Sequence, residues 1–179
     1  MNWNPFKKKA EEEPELDPLN LTLSDLKPGY ILDYDLKTWK VTAQHTYDYD
    51  GDRADEWELT CSDEVVTLEG EEDDGITWTL TRKISLSEID GNLRAHLREN
   101  EDPPEQITCK GVEYKGESSS AGKFHKDGTG PGEDFIVWDY VDSTEKKVLA
   151  IEQWGDDDYE ASVGEVVEEY EFSNILPSA

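Results

Sequence analysis

Apolar and polar residues alternate along most of this chain. From 39 to 49 the odd positions are Trp39, Val41, Ala43, His45, Tyr47 and Tyr49, and the even ones are Lys40, Thr42, Gln44, Thr46 and Asp48. A period of two over this span predicts a half-buried strand. Trp57, Leu59 and Cys61 alternate with Glu58 and Thr60, and Val66 and Leu68 follow. Ile76, Trp78, Leu80 and Ile84 alternate with Thr77, Thr79, Thr81 and Lys83. Each segment has one apolar face and one Thr/charged face, the pattern of an antiparallel sheet with one side wet. Only "SLSEIDGNLRAHLREN" carries a helical period. Ser85 and Glu88 have capping-box spacing, and Ile89, Leu93 and Leu97 share one face. A turn followed by a helix over about 92–99 is expected, ended by "NEDPPEQ".

The second half resembles the first. "VTLEGEEDDGITWTLTRKI" (66–84) aligns with "LAIEQWGDDDYEASVGEVV" (149–167), placing Leu68 on Ile151, Asp73-Asp74 on Asp156-Asp157 and Leu80 on Val163. Upstream, Trp57 aligns with Trp138. The expected fold is all-β: two pseudo-repeated antiparallel β units, of small-sheet or half-barrel type, joined by one short helix. The divisions are a leader without stable structure at 1–20, a first unit at 21–90, a helical connector at 91–104 and a second unit at 105–179. The leader rests on the charge runs Lys7–Lys9 and Glu11–Glu13 and on Pro5, Pro14 and Pro18.

Charge narrows the function. The 179 residues include 44 acidic and 17 basic ones, a formal net charge of -27. Such a surface repels nucleic acid and anionic lipid and favours a cationic ligand or a basic protein surface as partner. The two cysteines, Cys61 and Cys109, stand far apart in no metal spacing, in keeping with a reducing cytoplasm. No apolar run reaches the ~18 residues of a membrane span. The N-terminal "MNWNPFKKK" lacks the apolar core of a secretory signal.

Several candidate motifs fail on spacing. Asp48, Asp50 and Asp52 suggest a calcium loop, but counting from Asp48 the sixth position is Arg53 and the twelfth Leu59, where an EF-hand needs Gly and Glu. A hairpin tip at "DGD" is expected instead. "GESSSAGKF" (116–124) has one residue too many between its glycines for a phosphate loop, and Phe124 follows Lys123. It and "GTGPGED" (128–134) are expected to form a flexible crossover. His45, His96 and His125 lie in no catalytic or zinc spacing, and His45 is expected to be a satisfied core histidine. No catalytic or metal-ligating residue is assigned. The candidate ligand site is the pair of acidic loops in equivalent repeat positions: Glu71, Asp73 and Asp74 in the first, Asp156 and Asp157 in the second, with Trp154 exposed beside them. Their oxygens suit a polyamine or a divalent cation, and no other cofactor is expected.

"LKPGYILDYDLKTWKV", "DEWEL", "WTLTRKI", "FIVWDY", "LAIEQW" and "DYEASVGEVV" together resemble the bacterial Domain of Unknown Function 4178 family, over about 27–176. These are strand and turn residues, so the resemblance implies a fold and no mechanism. Members of that family are often encoded near spermidine-synthase-like enzymes and phage-shock-type membrane-remodelling proteins, which implies an accessory role in a polyamine or envelope-stress system. The resulting expectation is a non-enzymatic binding or scaffold module. The alternative is a metal-dependent enzyme or enzyme accessory built on the acidic loops. A His, Cys or Lys converging with those loops would favour it.

Overall fold

The computed structural model describes residues 20–50, 52–72 and 75–177. The expected leader, but for Asn20, and the candidate ligands Asp73 and Asp74 lie outside them. Eleven strands form one antiparallel sheet: β1 (Ile31–Tyr34), β2 (Lys37–Tyr49), β3 (Asp52–Cys61), β4 (Glu64–Glu72), β5 (Ile76–Ile84), β6 (Gln106–Cys109), β7 (Val112–His125), β8 (Glu133–Asp142), β9 (Lys147–Gly155), β10 (Asp158–Val167) and β11 (Ser173–Leu176). The all-β expectation holds. The helix α1 spans Leu93–Asn100, after a 3-10 turn at Leu86–Glu88 capped by the Ser85/Glu88 box.

The spatial order is β11-β1-β2-β3-β4-β5-β10-β9-β8-β7-β6, and β2 also pairs with β7. That extra pairing closes eight strands, β2 to β5 and β7 to β10, into a ring. Two meanders, β1–β5 and β6–β10, therefore run in the same order and meet at two seams. The β5/β10 seam has seven residue pairs, from Ala161 opposite Ile84 to Val167 opposite Trp78, with Thr81 opposite Gly164 at its middle. The β2/β7 seam has three: Thr46 with His125, Tyr47 with Phe124 and Asp48 with Lys123. The tail strand β11 crosses back to pair with β1.

Cross-ring contacts identify the inner face. Tyr47 of β2 packs on Phe135 of β8 at 5.1 Å and donates to Glu152 of β9 at 3.1 Å. Strand alternation and register then place Glu56, Glu69, the odd-numbered threonines of β5 and Lys83 on that same face. The Thr/charged face is thus the wet side, but it is turned inward.

The opposite face carries two apolar clusters. One gathers Trp39, Val41, Trp57, Leu59, Leu68 and Trp78 beneath Leu23, Leu26 and Phe172. Trp57 is 2% exposed, and its indole N–H donates to the Leu26 carbonyl at 2.9 Å. The other gathers Trp138, Tyr140, Leu149 and Ile151 with Leu93 and Leu97 of α1 and Ile107 of β6.

Two readings of the sequence need correction. The odd residues of 39–49 do not share a face. Opposite Leu59 and Glu58, the register of β2 jumps from Val41 to Ala43, leaving Thr42 as a bulge. The bulge flips the strand: Trp39 and Val41 join the first apolar cluster, whereas Tyr47 belongs to the inner one. Nor is 116–124 a flexible crossover. It lies within the 14-residue strand β7, paired along its length with β8 and at its end with β2. Its small residues suit close backbone approach: a Cβ on Gly122 would lie 2.5 Å from the Asp48 carbonyl oxygen.

The β1–β2 turn is held in a costly conformation. Asp35 and Leu36 both have positive φ, 46° and 60°, the geometry that Asn-Gly favours. Leu36 is fully exposed, so its side chain offsets none of this strain. Asp35→Asn/Leu36→Gly is expected to raise stability by about 1 kcal/mol, read as a higher denaturation midpoint with an unchanged slope.

Candidate functional site

The described residues that flank the two acidic loops do not come together. The β4–β5 and β9–β10 hairpins sit at opposite ends of the paired strands β5 and β10. The ten residues of β10 separate them by roughly 30 Å at 3.3 Å per residue. Glu71 is exposed at one end, on the inner-face register opposite Ala54 and Thr77. Asp157, at the other end, is held by Arg98 of α1, whose Nε donates to Oδ1 at 2.9 Å. Arg94 adds an ion pair at 3.8 Å. The Arg98 guanidinium keeps the Asp157 carboxyl below the ordinary range, so this residue anchors the helix. Asp156 is exposed in a surface basin of about 860 Å³ that includes Asp48, Lys123, Asp134 and Trp154. Lys123 pairs with Asp134 there at 2.5 Å.

Trp154 is half-buried rather than exposed. Its ring meets Phe124 at 5.3 Å and Phe135 at 5.4 Å on the inner face. Its indole N–H is buried and has no hydrogen-bond partner among the described residues. Trp154 borders both the surface basin and a second cavity of about 410 Å³ inside the ring.

That inner cavity is the candidate site. Six carboxylates line it, from Glu56, Glu58, Glu133, Glu152, Asp158 and Glu160, against two lysines, Lys83 and Lys126. Lys83 is paired with Glu160 at 2.5 Å, and Lys126 is exposed. Aromatic surface comes from Tyr47, Phe124 and Trp154. Alternation on β3 sends Glu56 and Glu58 into the ring while Trp57 and Leu59 point to the apolar cluster. The same rule on β9 separates Glu152 from Ile151. His45, 8% exposed, accepts from the Asp127 backbone N–H through Nδ1 at 3.0 Å. Burial lowers its pKa, so the ring is neutral at pH 7.

Carboxylates crowd the centre. Glu56 faces Glu69 directly across β3 and β4. Tyr47 OH lies 3.3 Å from Glu56 Oε2 and 3.1 Å from Glu152 Oε1. The Glu69 side chain is half-buried, and its carboxyl has no hydrogen bond or ion pair to any described residue. Desolvation, then repulsion from its neighbours, pushes Glu56 up to about 7 and Glu69 up to about 8. Burial raises Glu152 and Asp139 as well. Among the described residues, no group of three or more His, Cys, Asp or Glu side chains is arranged to hold a metal ion.

Sequence reasoning missed Glu56, Glu69, Lys83 and Glu152 as site residues. A signal was present: a glutamate stands directly before Trp57, directly after Leu68 and directly after Ile151, each beside a core residue. No helix among the described residues is long and apolar enough to cross a membrane.

The chain matches the family described as Domain of unknown function (DUF4178) over residues 27–169. It is 30% identical over 169 residues to an "Uncharacterized protein" of Aquifex aeolicus (strain VF5), covering 94% of this chain and 93% of that one. No solved structure matches. The strand and turn residues that resemble DUF4178 lie almost wholly within the matched span, and the chain belongs to that family.

Proposed function

We propose that the protein is a non-enzymatic binding module that takes a slender organic cation, of the di- or polyamine class, inside its barrel, as an accessory to a polyamine system. The carrying observation is the inner cavity's excess of carboxylates, with Lys83 already paired to Glu160. Glu133 and Asp158 are exposed, whereas Glu56, Glu58 and Glu152 are half-buried, and like charges held together away from water are costly unless a counter-charge joins them. An ammonium group supplies that charge. The rings of Tyr47, Phe124 and Trp154 suit both the methylene segments and the ammonium head of such a ligand. The enzyme reading on the acidic loops draws less support. The loops stand at opposite ends, Lys123 beside Asp156 is paired with Asp134, and His45 is occupied by the Asp127 backbone.

Calorimetry with spermidine, 1,4-diaminobutane and Ca²⁺ tests this reading. The amines are expected to bind and Ca²⁺ to give no heat. Glu56→Gln/Glu152→Gln is expected to weaken amine binding by about tenfold or more, ~1.4 kcal/mol. Glu99→Gln/Glu113→Gln, which replaces as many glutamates at exposed positions, is expected to change it little. Equal weakening by both pairs, or no heat from any amine, would show that the interior is not the site.

A further inference from the structure

We propose that Glu56, Tyr47 and Glu152 hold one proton between them, in addition to the phenolic one, and that a cation entering the barrel releases it. This rests on the cation-binding reading above and adds a proton exchange to it.

The argument begins with counting hydrogens. Tyr47 OH lies within hydrogen-bond distance of two carboxyl groups, Glu56 Oε2 at 3.3 Å and Glu152 Oε1 at 3.1 Å. A phenol has one hydrogen, and sharing it between two carboxylates gives only two long, weak contacts. A second proton lets one carboxyl donate to the phenol oxygen while the phenol donates to the other, so both contacts become full hydrogen bonds. With both glutamates ionised, two like charges would compete for a single hydrogen. Burial and the surrounding carboxylates raise the Tyr47 pKa far above its ordinary value, so the phenol keeps its own proton.

The neighbours of the bridge point the same way. On the β3–β4 side stand Glu58 and Glu69, with Glu71 beyond. Across the ring are Asp139 of β8 and Glu160 of β10. The nearby cations are Lys83 of β5, paired with Glu160, and the exposed Lys126, and His45 on β2 is neutral. Tyr49, the other titratable group on this face of β2, is pushed up by burial and stays neutral. The enclosure therefore supplies more negative than positive charge to the bridge and favours the protonated form.

The exchange balances simply. An ammonium group approaches the bridge, the carboxyl O–H bond breaks, and the proton leaves to bulk solvent. The resulting carboxylate pairs with the ammonium. One positive charge enters as one leaves, and no oxidant or reductant is involved.

Two measurements test the proposal. Carboxyl carbon NMR of protein labelled in its glutamates is expected to show the Glu56/Glu152 pair losing a proton near neutrality. In Glu152→Gln the amide N–H replaces the carboxyl donor to Tyr47, and the pair's near-neutral titration is expected to vanish. Glu56→Gln provides the same test if the first variant does not fold. Calorimetry with spermidine at one pH, in two buffers of different ionisation heat, is expected to show proton release in the wild type and about one proton less in the variant. Ionisation of both glutamates in the ordinary range, near about 4, would overturn the shared proton. An amine that binds without releasing a proton overturns the exchange and leaves the binding reading standing. A protein that binds no amine yet keeps a near-neutral carboxyl overturns the binding reading and leaves the shared proton standing.

Discussion

Gly164→Ala is expected to destabilise the protein by about 3 kcal/mol or more, the upper range for overpacking. A Cβ at this position would collide with the Leu80 carbonyl oxygen and lie 2.7 Å from the Thr81 Cα. Both obstacles are backbone, so no side chain can swing aside. Gly164 sits opposite Thr81 at the middle of the β5/β10 seam, and relief requires parting the two meanders there. Gly122→Ala repeats the experiment at the other seam, against the Asp48 carbonyl oxygen. Gly155→Ala is the control, because its Cβ would meet nothing closer than 3.9 Å. Urea denaturation of the three variants measures the difference. A Gly164→Ala variant as stable as the wild type would mean that β5 and β10 do not meet in this register.

The second large effect is a fall in stability from mildly acidic to alkaline pH. Glu56 and Glu69 hold protons in the fold that they lose in the unfolded chain, with pKa values of about 7 and about 8 against an ordinary 4.5. The native state therefore binds more protons than the unfolded state above about pH 4.5, and stability declines as pH rises until both groups have ionised. The two groups together account for several kcal/mol across this range. At the acid end Asp33, Asp142 and Asp157, whose pKa values lie below the ordinary one, reverse the slope as they protonate. The maximum should thus fall at about pH 4. Denaturation from about pH 4 to 9 reads the profile. Glu69→Gln should flatten its alkaline limb, separating the interior from the general repulsion of a chain of net charge -27. A curve that stays level from pH 5 to 9 would refute the raised pKa values of the interior glutamates.

The strands were legible because alternation reports that two faces differ. It does not report which face is concave. Thr77, Thr79, Thr81 and Lys83 read as a solvent face, and water does suit them, but they lie on the inner side of the ring. Closure is a long-range event, decided by three pairs between β2 and β7 that leave no mark in a local period. The Thr42 bulge was hidden for a related reason, since the register jump exists only relative to Glu58 on the partner strand. Ser118, Ser119 and Ser120 mimic a loop because β-propensity describes half-buried surfaces, whereas β7 needs small residues for a close approach. The turn and helix were read well, because the Ser85/Glu88 box that caps the 3-10 turn and the Ile89, Leu93 and Leu97 stripe are local. The acidic hairpins drew notice by their composition. The carboxylates that converge are single glutamates scattered over β3, β4 and β9.

Strand alternation also separates two kinds of inheritance. On β3, Trp57 and Leu59 hold the apolar cluster while Glu56 and Glu58 face the cavity, residue by residue along one backbone. On β9, Leu149 and Ile151 serve the second cluster and Glu152 the cavity. A change of lining residue removes little of the apolar packing that keeps the chain folded. Relatives can keep the odd-numbered residues of these two strands for stability and vary the even-numbered ones for chemistry, so one scaffold can diverge in what it holds without first becoming unstable.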